Sequence, residues 1–528
     1  MSGSSGGGEG GGDAGWKPKS NPWVIALVVT SAAFMEILDT TIVNVSLPYI
    51  AGSLAASNDQ ATWTLTSYLV ANAFVLAISG FLARRFGRKR YFIASIAGFT
   101  ACSFLCGIAT SLPELIIFRA MQGLCGGGLQ TNQQAIILDT FPPEKRGAAL
   151  SITAVATIIA PALGPTLGGW LTYDYSWHWV FLVNIPVGIA AVFGVLAVVE
   201  DPPWQKAQKG LRADTIGIAL IAVGLGCLQV MMDRGEDDDW FSSSFIVCFA
   251  VLAYCGLIGA TCWLLAVRRP VVKLAVLGDR NFAVGVVLIF CMFSTLYASA
   301  VVVPQLAQMQ FGYTAEWAGF VLSPGAVVVA MIIPVVAALS SRVETRFMVA
   351  AGFAVLGAGL VYSYFLSPQI SFRALATIRI AQSVGIAMLF VPINAAAFLT
   401  ISKEDTGDAS ALFVMFRNVA GSIGISLSTA MVTERTQVRM AHLGSNLTPF
   451  DQGYVDALTR YTEPLVQLGV AQGQLGSTAS GLLYQQLRAQ AAIMGNADVF
   501  LGCAILAFVG VPLAFLLSAG KGKGGGAG

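Results

Sequence analysis

Glu36 and Asp39 lie three residues apart inside one long apolar run, roughly residues 23–50. On a helix that spacing puts both carboxylates on one face. A charge at the centre of a bilayer is costly, so each such group asks for a reason. Desolvation raises the proton affinity of a carboxylate. The pair is therefore expected to act as exchangeable proton carriers near neutral pH. Arg119, in the fourth apolar run, keeps its proton. It can hold a carboxylate deprotonated and release it on rearrangement. The competing reading is an ion pair that only ties helices together. Arg379 and Arg417 also fall inside apolar runs, and Arg417 is near enough to an end to snorkel to the interface. The fourth run carries Gln130, Thr131, Asn132, Gln133 and Gln134 in succession, and a helix lets only some of them face one cavity. Gln130, Asn132, Gln133, Asn44, Asn394 and Arg417 are the candidates to line a substrate cavity, with interhelical hydrogen bonding as the alternative role.

Other chemistries are excluded by what the chain lacks. His178 and His442 stand alone, and none of the nine cysteines has zinc-ligand spacing with a histidine. The cysteines all sit in apolar runs and read as small packing residues. No metal and no cofactor is expected. The segment from Gly123 to Gly128 lacks the Gly-Lys-Ser/Thr ending of a phosphate loop, so ATP-driven pumping is not expected. An intramembrane enzyme or scramblase would need a catalytic dyad or metal cluster. A receptor or scaffold built on residues 434–497 would leave Asp39 replaceable.

The elements that position these groups follow from composition. Of 528 residues, 56% are hydrophobic and 11% charged, with a net charge of +2. Soluble proteins carry about 25% charged residues, so a soluble enzyme is excluded, as is disorder. A balanced charge offers no face for nucleic acid. A spanning helix needs about 20 apolar residues. That ruler gives fourteen runs, near 23–50, 60–83, 91–111, 113–138, 148–172, 179–199, 213–233, 242–266, 281–305, 316–340, 348–367, 371–399, 410–433 and 498–518. The alternating strands of a membrane barrel are absent. The fold class is an all-α polytopic membrane protein with fourteen transmembrane helices. Most Lys and Arg residues, including Arg84, Arg85, Arg88, Lys89 and Arg90, fall on the side shared by both termini, which places that side in the cytoplasm. Residues 1–15 and the tail from Gly520 are Gly-rich and expected to be disordered. No cleavable signal peptide is visible. Residues 434–497 form the one sizeable outer segment, with an amphipathic stretch at Tyr484–Ala492 and a chance glycosylation sequon at Asn446.

The chain repeats itself. Arg119 matches Arg379, Gln122 matches Gln382, Ala135 matches Ala395, Ala160 matches Ala420 and Gly164 matches Gly424, all at one offset of 260 residues. Pro48 matches Pro304 at a nearby offset, and the basic 84–90 loop has an echo at 341–347. Runs 1–6 and 9–14 thus read as two related six-helix halves, with two inserted helices between them. The expected divisions are 1–22, 23–200, 201–280, 281–518 and 519–528. Related halves argue for a transporter with a site at the midplane between them. In the fifth run, Pro161, Gly164, Pro165, Gly168 and Gly169 combine helix-bending prolines with a small-x-x-x-small face for close packing. A bent, closely packed helix suits a rocking interface, though plain packing would use the same residues.

Several stretches together resemble the fourteen-span drug–proton antiporter family of the major facilitator superfamily, that of the EmrB-type multidrug exporters. They are LDTTIVNVSLP in run 1, GFLARRFGRKR at 80–90, FRAMQGLCGGG in run 4, ALGPTLGGW in run 5, WHWVFLVNIPVG before run 6 and FRNVAGSIGIS in run 13. Gly80, Gly87 and Arg88 match the superfamily loop motif, and Gly164, Pro165, Gly168 and Gly169 match the antiporter motif. Arg84 stands where the loop motif has Asp, and His178 where the pattern has Arg. The resemblance implies an inner-membrane exporter that exchanges protons for amphipathic drugs by alternating access, with Asp39, Glu36 and Arg119 coupling the two. It also implies a periplasmic adaptor and an outer-membrane channel in Gram-negative cells. A dedicated exporter of one metabolite or siderophore is the alternative.

Overall fold

The apolar runs become helices in the computed structural model, which describes residues 18–203, 214–268, 270–340, 342–365, 370–445 and 452–518. The Gly-rich stretch at 1–15, the tail from Gly520 and the sequon at Asn446 lie outside the described residues.

The first set of helices comprises α1 (Pro22–Ser53), α2 (Asn58–Phe86), α3 (Arg88–Gly107), α4 (Leu112–Gly126), α5 (Leu129–Thr140), α6 (Pro143–Asp174), the single turn α7 (Trp179–Leu182) and α8 (Asn184–Val198). The inserted pair is α9 (Thr215–Arg234) and α10 (Ser244–Ala266). The second set is α11 (Arg280–Phe311), α12 (Ala315–Leu339), α13 (Thr345–Tyr364), α14 (Phe372–Ala397), α15 (Thr406–Ser445), α16 (Gln452–Gln467) and α17 (Gln472–Ala514).

Local chemistry sets several ends. Ser57 and Gln60 form a reciprocal capping box at the start of α2. Asp214, Asp279 and Ser371 cap α9, α11 and α14 through their side chains. Gly87 alone separates α2 from α3, at φ 88°, where a side chain is disfavoured. At Gly127 a Cβ would come 2.6 Å from the Asn72 carbonyl oxygen. The glycines of this segment let its helix break lie against α2, which is their role in place of phosphate binding.

Twelve of the described helices are long and apolar enough to cross a membrane, thirteen with α6 counted, which bends by 46° between Pro161 and Leu163. The prolines of the fifth run thus sit at a bend, as their chemistry requires. The expected fourth run is divided into α4 and α5, so fourteen crossings are reached only by taking those two as one broken span.

Packing repeats between the two sets. α1 lies on α6 as α11 lies on α15; α2 lies on α4 as α12 lies on α14; α3 lies on α8 as α13 lies on α17. The two sets meet through α6 with α12 and through α2 and α5 with α15. α9 packs on α2, and its Gln229 accepts a hydrogen bond from Ser422 of α15 at 3.1 Å.

The expected outer segment, 434–497, is largely helical among the described residues. α15 has 40 residues and α17 has 43, so each is about 60 Å long, twice the hydrocarbon thickness. Both helices run on past the expected span ends, and Arg439 of α15 holds Asp498 of α17 at 2.7 and 2.9 Å. Amphipathic α16 packs against α17. Helix outside the bilayer needs no continuous apolar run, so a hydropathy ruler ends it too early.

Candidate functional site

Asp39 sits on the buried face of α1 and is fully enclosed. Its Oδ2 pairs with Nη1 of Arg119 at 2.6 Å. Its Oδ1 accepts from Asn184 at 2.7 Å and from Gln122 at 3.1 Å. Arg119 also donates to the Gln122 side-chain oxygen at 2.8 Å and to the Thr64 carbonyl at 3.3 Å. Its guanidinium lies 4.2 Å from the Tyr68 ring centre and 5.5 Å from that of Phe181. Helices α1, α2, α4 and α8 therefore each supply part of one charged network. A buried ion pair is favourable only when such hydrogen bonds satisfy its remaining atoms.

Glu36, one turn away, is equally buried but far less satisfied. Its Oε1 accepts from Asn72 at 2.9 Å, and its Oε2 has no hydrogen-bond partner. Across the interface, Arg417 of α15 is buried over the Phe293 ring at 5.3 Å and donates to the Gln130 side-chain oxygen. Gln134 donates to Asn394 at 3.2 Å, joining α5 to α14.

Among the sequence candidates, Glu36, Asp39, Arg119, Gln130 and Arg417 are thus close together at the centre, and Asn394 lies at the same interface. Asn132 and Gln133 are turned elsewhere. Asn132 donates to the Gly128 carbonyl of its own helix at 2.6 Å, and Gln133 bonds Thr30 and Thr153 inside the first set. Asn44 is exposed on α1. Asn72, Asn184 and Thr64 were not singled out by sequence reasoning. They are neutral residues in apolar helices, and only the folded arrangement aims them at the carboxylates.

The second set holds a copy of the charged network without its acid. Arg379 donates to Gln382 at 3.3 Å, as Arg119 does to Gln122. Where Asp39 stands in the first set, Arg379 meets the Ser299 hydroxyl at 2.9 Å. Ser299 lies 260 residues after Asp39, at the offset of the repeat. Gln382 is held by Ser363, and 260 residues earlier Ser103 accepts from Asn184, which binds Asp39.

Among the described residues no group of His, Cys, Asp and Glu is arranged to hold a metal. A groove of about 460 Å³ between α1 and α8 is lined by Leu27, Val28, Pro186 and Val187 and contains none of the charged groups.

Residues 29–425 match the family model of the Major Facilitator Superfamily. The chain belongs to that superfamily. It is 34% identical to the multidrug export protein EmrB of Escherichia coli strain K12 over 506 residues, covering 96% of this chain and 97% of that one. It is 32% identical to the fatty acid resistance protein FarB of Neisseria gonorrhoeae over 504 residues, covering 96% and 97%. The crystal structure of the human organic anion transporter MFSD10 (TETRAN) superposes with a TM-score of 0.55 at 12% identity, over 93% of this chain and 100% of that one, which is a likeness of fold.

The superfamily motifs can now be placed. The loop motif lies at the end of the bundle where the two sets are joined by charge. Arg84 of α2 pairs with Asp408 of α15, and a Cβ on Gly80 would come 2.6 Å from the same carboxylate. Arg84 also donates to the Val271 carbonyl at 3.4 Å. Arg88 is buried and pairs with Asp139 of α5. Lys273 reaches Asp405 at 2.7 Å. Burial disfavours the Asp405 carboxylate, but hydrogen bonds from Lys273 and Ser402 outweigh it and hold the group below its ordinary value. Asp139, Asp405 and Asp408 read in sequence as unremarkable loop and helix-end acids, and nothing local signals their partners. In the antiporter motif, Gly164 and Gly168 are buried against Thr41 and Ile42 of α1, Gly169 has room for a Cβ in ordinary contact with Val45, and Pro165 lies beside Gly319 of α12. His178 stacks on Trp177 at 3.8 Å between ring centres, away from the charged centre.

Proposed function

We propose that this superfamily transporter is a proton-coupled multidrug exporter. It moves amphipathic compounds out of the cytoplasm or inner leaflet of a bacterial inner membrane. The observation that carries the reading is the pair of buried carboxylates on α1, one locked on Arg119 and one incompletely satisfied, in a chain 34% identical to a multidrug export protein. It is a transporter rather than an enzyme. Both termini are assigned to the cytoplasm, because that side receives most of the Lys and Arg residues. The Arg84–Asp408 and Lys273–Asp405 pairs then close the cytoplasmic end, and alternating access proceeds by breaking them. Residues 23–200 and 281–518 are the two rocking halves, and 201–280 the inserted pair with its flanks. Drug and proton are exchanged because each stabilises a different arrangement of the halves. A periplasmic adaptor and an outer-membrane channel are proposed as partners in a Gram-negative host.

Ethidium efflux from cells producing wild type, Asp39→Asn and Arg119→Gln tests the reading, each with the proton gradient intact and collapsed. Wild type should export only with the gradient, and both variants should lose export. Efflux that ignores the gradient removes the coupling. Loss of resistance to a single compound class, with dyes and other drugs unaffected, favours the dedicated exporter instead.

A further inference from the structure

The two acids of α1 are not equivalent. Asp39 has a guanidinium on one oxygen and two amide donors on the other. A proton added there would displace one of those donors and strand the buried charge of Arg119. Glu36 has no cation on either oxygen: Asn72 donates to Oε1, and Gln130 is the other amide within hydrogen-bonding reach, in a site that is 1% exposed. An ionised carboxylate so placed lacks most of what makes burial tolerable, whereas a protonated one fits. The counter-charge it needs is near but belongs to the other half. Arg417 is 3% exposed, has no carboxylate partner among the described ion pairs, and spends a hydrogen bond on neutral Gln130. Gln130 is within hydrogen-bonding reach of Glu36 as well, so it bridges the two charged groups.

We propose that Glu36 carries the exchanged proton and that Arg417, reaching it from the opposite half, drives the proton off, while Asp39 stays paired with Arg119. When the halves bring Arg417 onto Glu36, the carboxyl O–H bond breaks and its electron pair stays on the carboxylate. The proton passes to water on the open side, and Arg417 keeps its own protons. When the halves part, Glu36 regains a proton and Arg417 returns to Gln130. Proton release is thereby tied to the distance between halves, which is what coupled exchange requires. The titratable or charged groups facing Glu36 are Asp39 on its own helix, Tyr68 on α2, Tyr297 on α11 and Arg417 on α15, with Arg119 behind Tyr68. Of these, Arg417 is the cation that a movement of one half against the other would shift most. The inference rests on the proton-coupled reading of the chain.

The test is infrared difference spectroscopy of the purified protein in lipid, following the carbonyl stretch of a protonated carboxyl as pH is raised. The band should bleach as pH is raised, be missing in Glu36→Gln and persist in Asp39→Asn. In Arg417→Gln its midpoint should rise by about one pH unit or more, because an opposite charge that close favours the ionised acid. Arg417→Lys, which keeps the charge, should return it toward wild type and guards against a folding defect. A band lost in Asp39→Asn and retained in Glu36→Gln overturns the assignment. So does a midpoint that Arg417→Gln leaves unmoved, or the absence of any titrating band. Gradient-driven ethidium efflux is measured separately. If it is absent while the band behaves as expected, the transport reading fails and the assignment of the titrating acid stands.

Discussion

Neighbouring glycines of the antiporter motif should respond unequally to the same added methyl group. A Cβ at Gly168 would sit 2.6 Å from the Ile42 carbonyl oxygen and 2.9 Å from Ile42 Cγ1. Ordinary contact begins at 3.4 Å, so α1 and α6 must separate by about 0.8 Å. A backbone carbonyl inside a helix cannot rotate away, and overpacking of this kind costs about 1–3 kcal/mol. The displacement falls on α1 one turn from Asp39. It is large against the 2.6 Å contact of Asp39 with Arg119, since charge-assisted hydrogen bonds hold near 2.7–2.9 Å. A Cβ at Gly169 would meet only Val45 Cγ1, at 3.9 Å. We expect Gly168→Ala to slow gradient-driven ethidium efflux about tenfold or more, since about 1.4 kcal/mol is a factor of ten. Gly169→Ala should leave it within twofold. Gly164→Ala should resemble Gly168→Ala, because its Cβ would come 2.7 Å from Thr41 Cβ. The assay is the initial efflux rate at matched protein levels in the membrane. Equal rates for Gly168→Ala and Gly169→Ala would refute the argument that contact with α1, and not the motif as such, sets the requirement for glycine.

Two further outcomes are expected. Arg84→Asp or Asp408→Arg alone leaves a charge unpaired where the side chains are 14% and 2% exposed, a loss of about 3–5 kcal/mol; the double exchange should restore ethidium efflux, and failure of the double variant while both singles retain efflux would dismiss the latch. Ser299→Asp supplies the acid that Arg379 lacks and should raise the melting temperature in detergent, with Ser299→Ala no more stable than wild type; a lower melting temperature for Ser299→Asp contradicts the correspondence with Asp39.

Charge in an apolar run is the strongest signal that a membrane sequence carries, and it located Glu36, Asp39 and Arg119 before any fold was known. The reason is energetic: such residues are excluded from lipid unless something holds them. The repeat was legible through Arg379 and Gln382 for the same reason. Ser299 was not, although it stands at the same offset, because a serine in an apolar helix provokes no question. Asn184 and Asn72 were hidden likewise. Their importance lies in which carboxylate they face, and that depends on how α8 and α2 pack against α1. Asp408 was missed because an acid near a helix end has many solvated uses. The helical continuity of the outer segment was hidden for a different reason: helix continuing into water keeps its hydrogen bonds without keeping its hydropathy.

The missing acid in the second set bears on how exchange could work at all. Both sets build one frame, an arginine three residues before a glutamine, with a side chain of the first helix in reach of both. In the first set that side chain can ionise, and in the second it cannot. Glu36, one turn before it, likewise has an uncharged counterpart at the same offset, Leu296, so its protonation changes the charge of one half only. For such a change to move the halves, it must be sensed by a group on the other side. Among the polar contacts that cross between the sets are Arg417 with Gln130, Asn394 with Gln134 and Asp408 with Arg84. Of these, Asn394 and Gln134 are neutral, and Arg84 and Asp408 are satisfied by each other. Arg417 alone brings an unpaired charge to the centre, one residue away from the acid that holds no cation. A symmetric pair of acids would titrate in both halves and pull on neither preferentially; removing one acid gives the proton a direction in which to act.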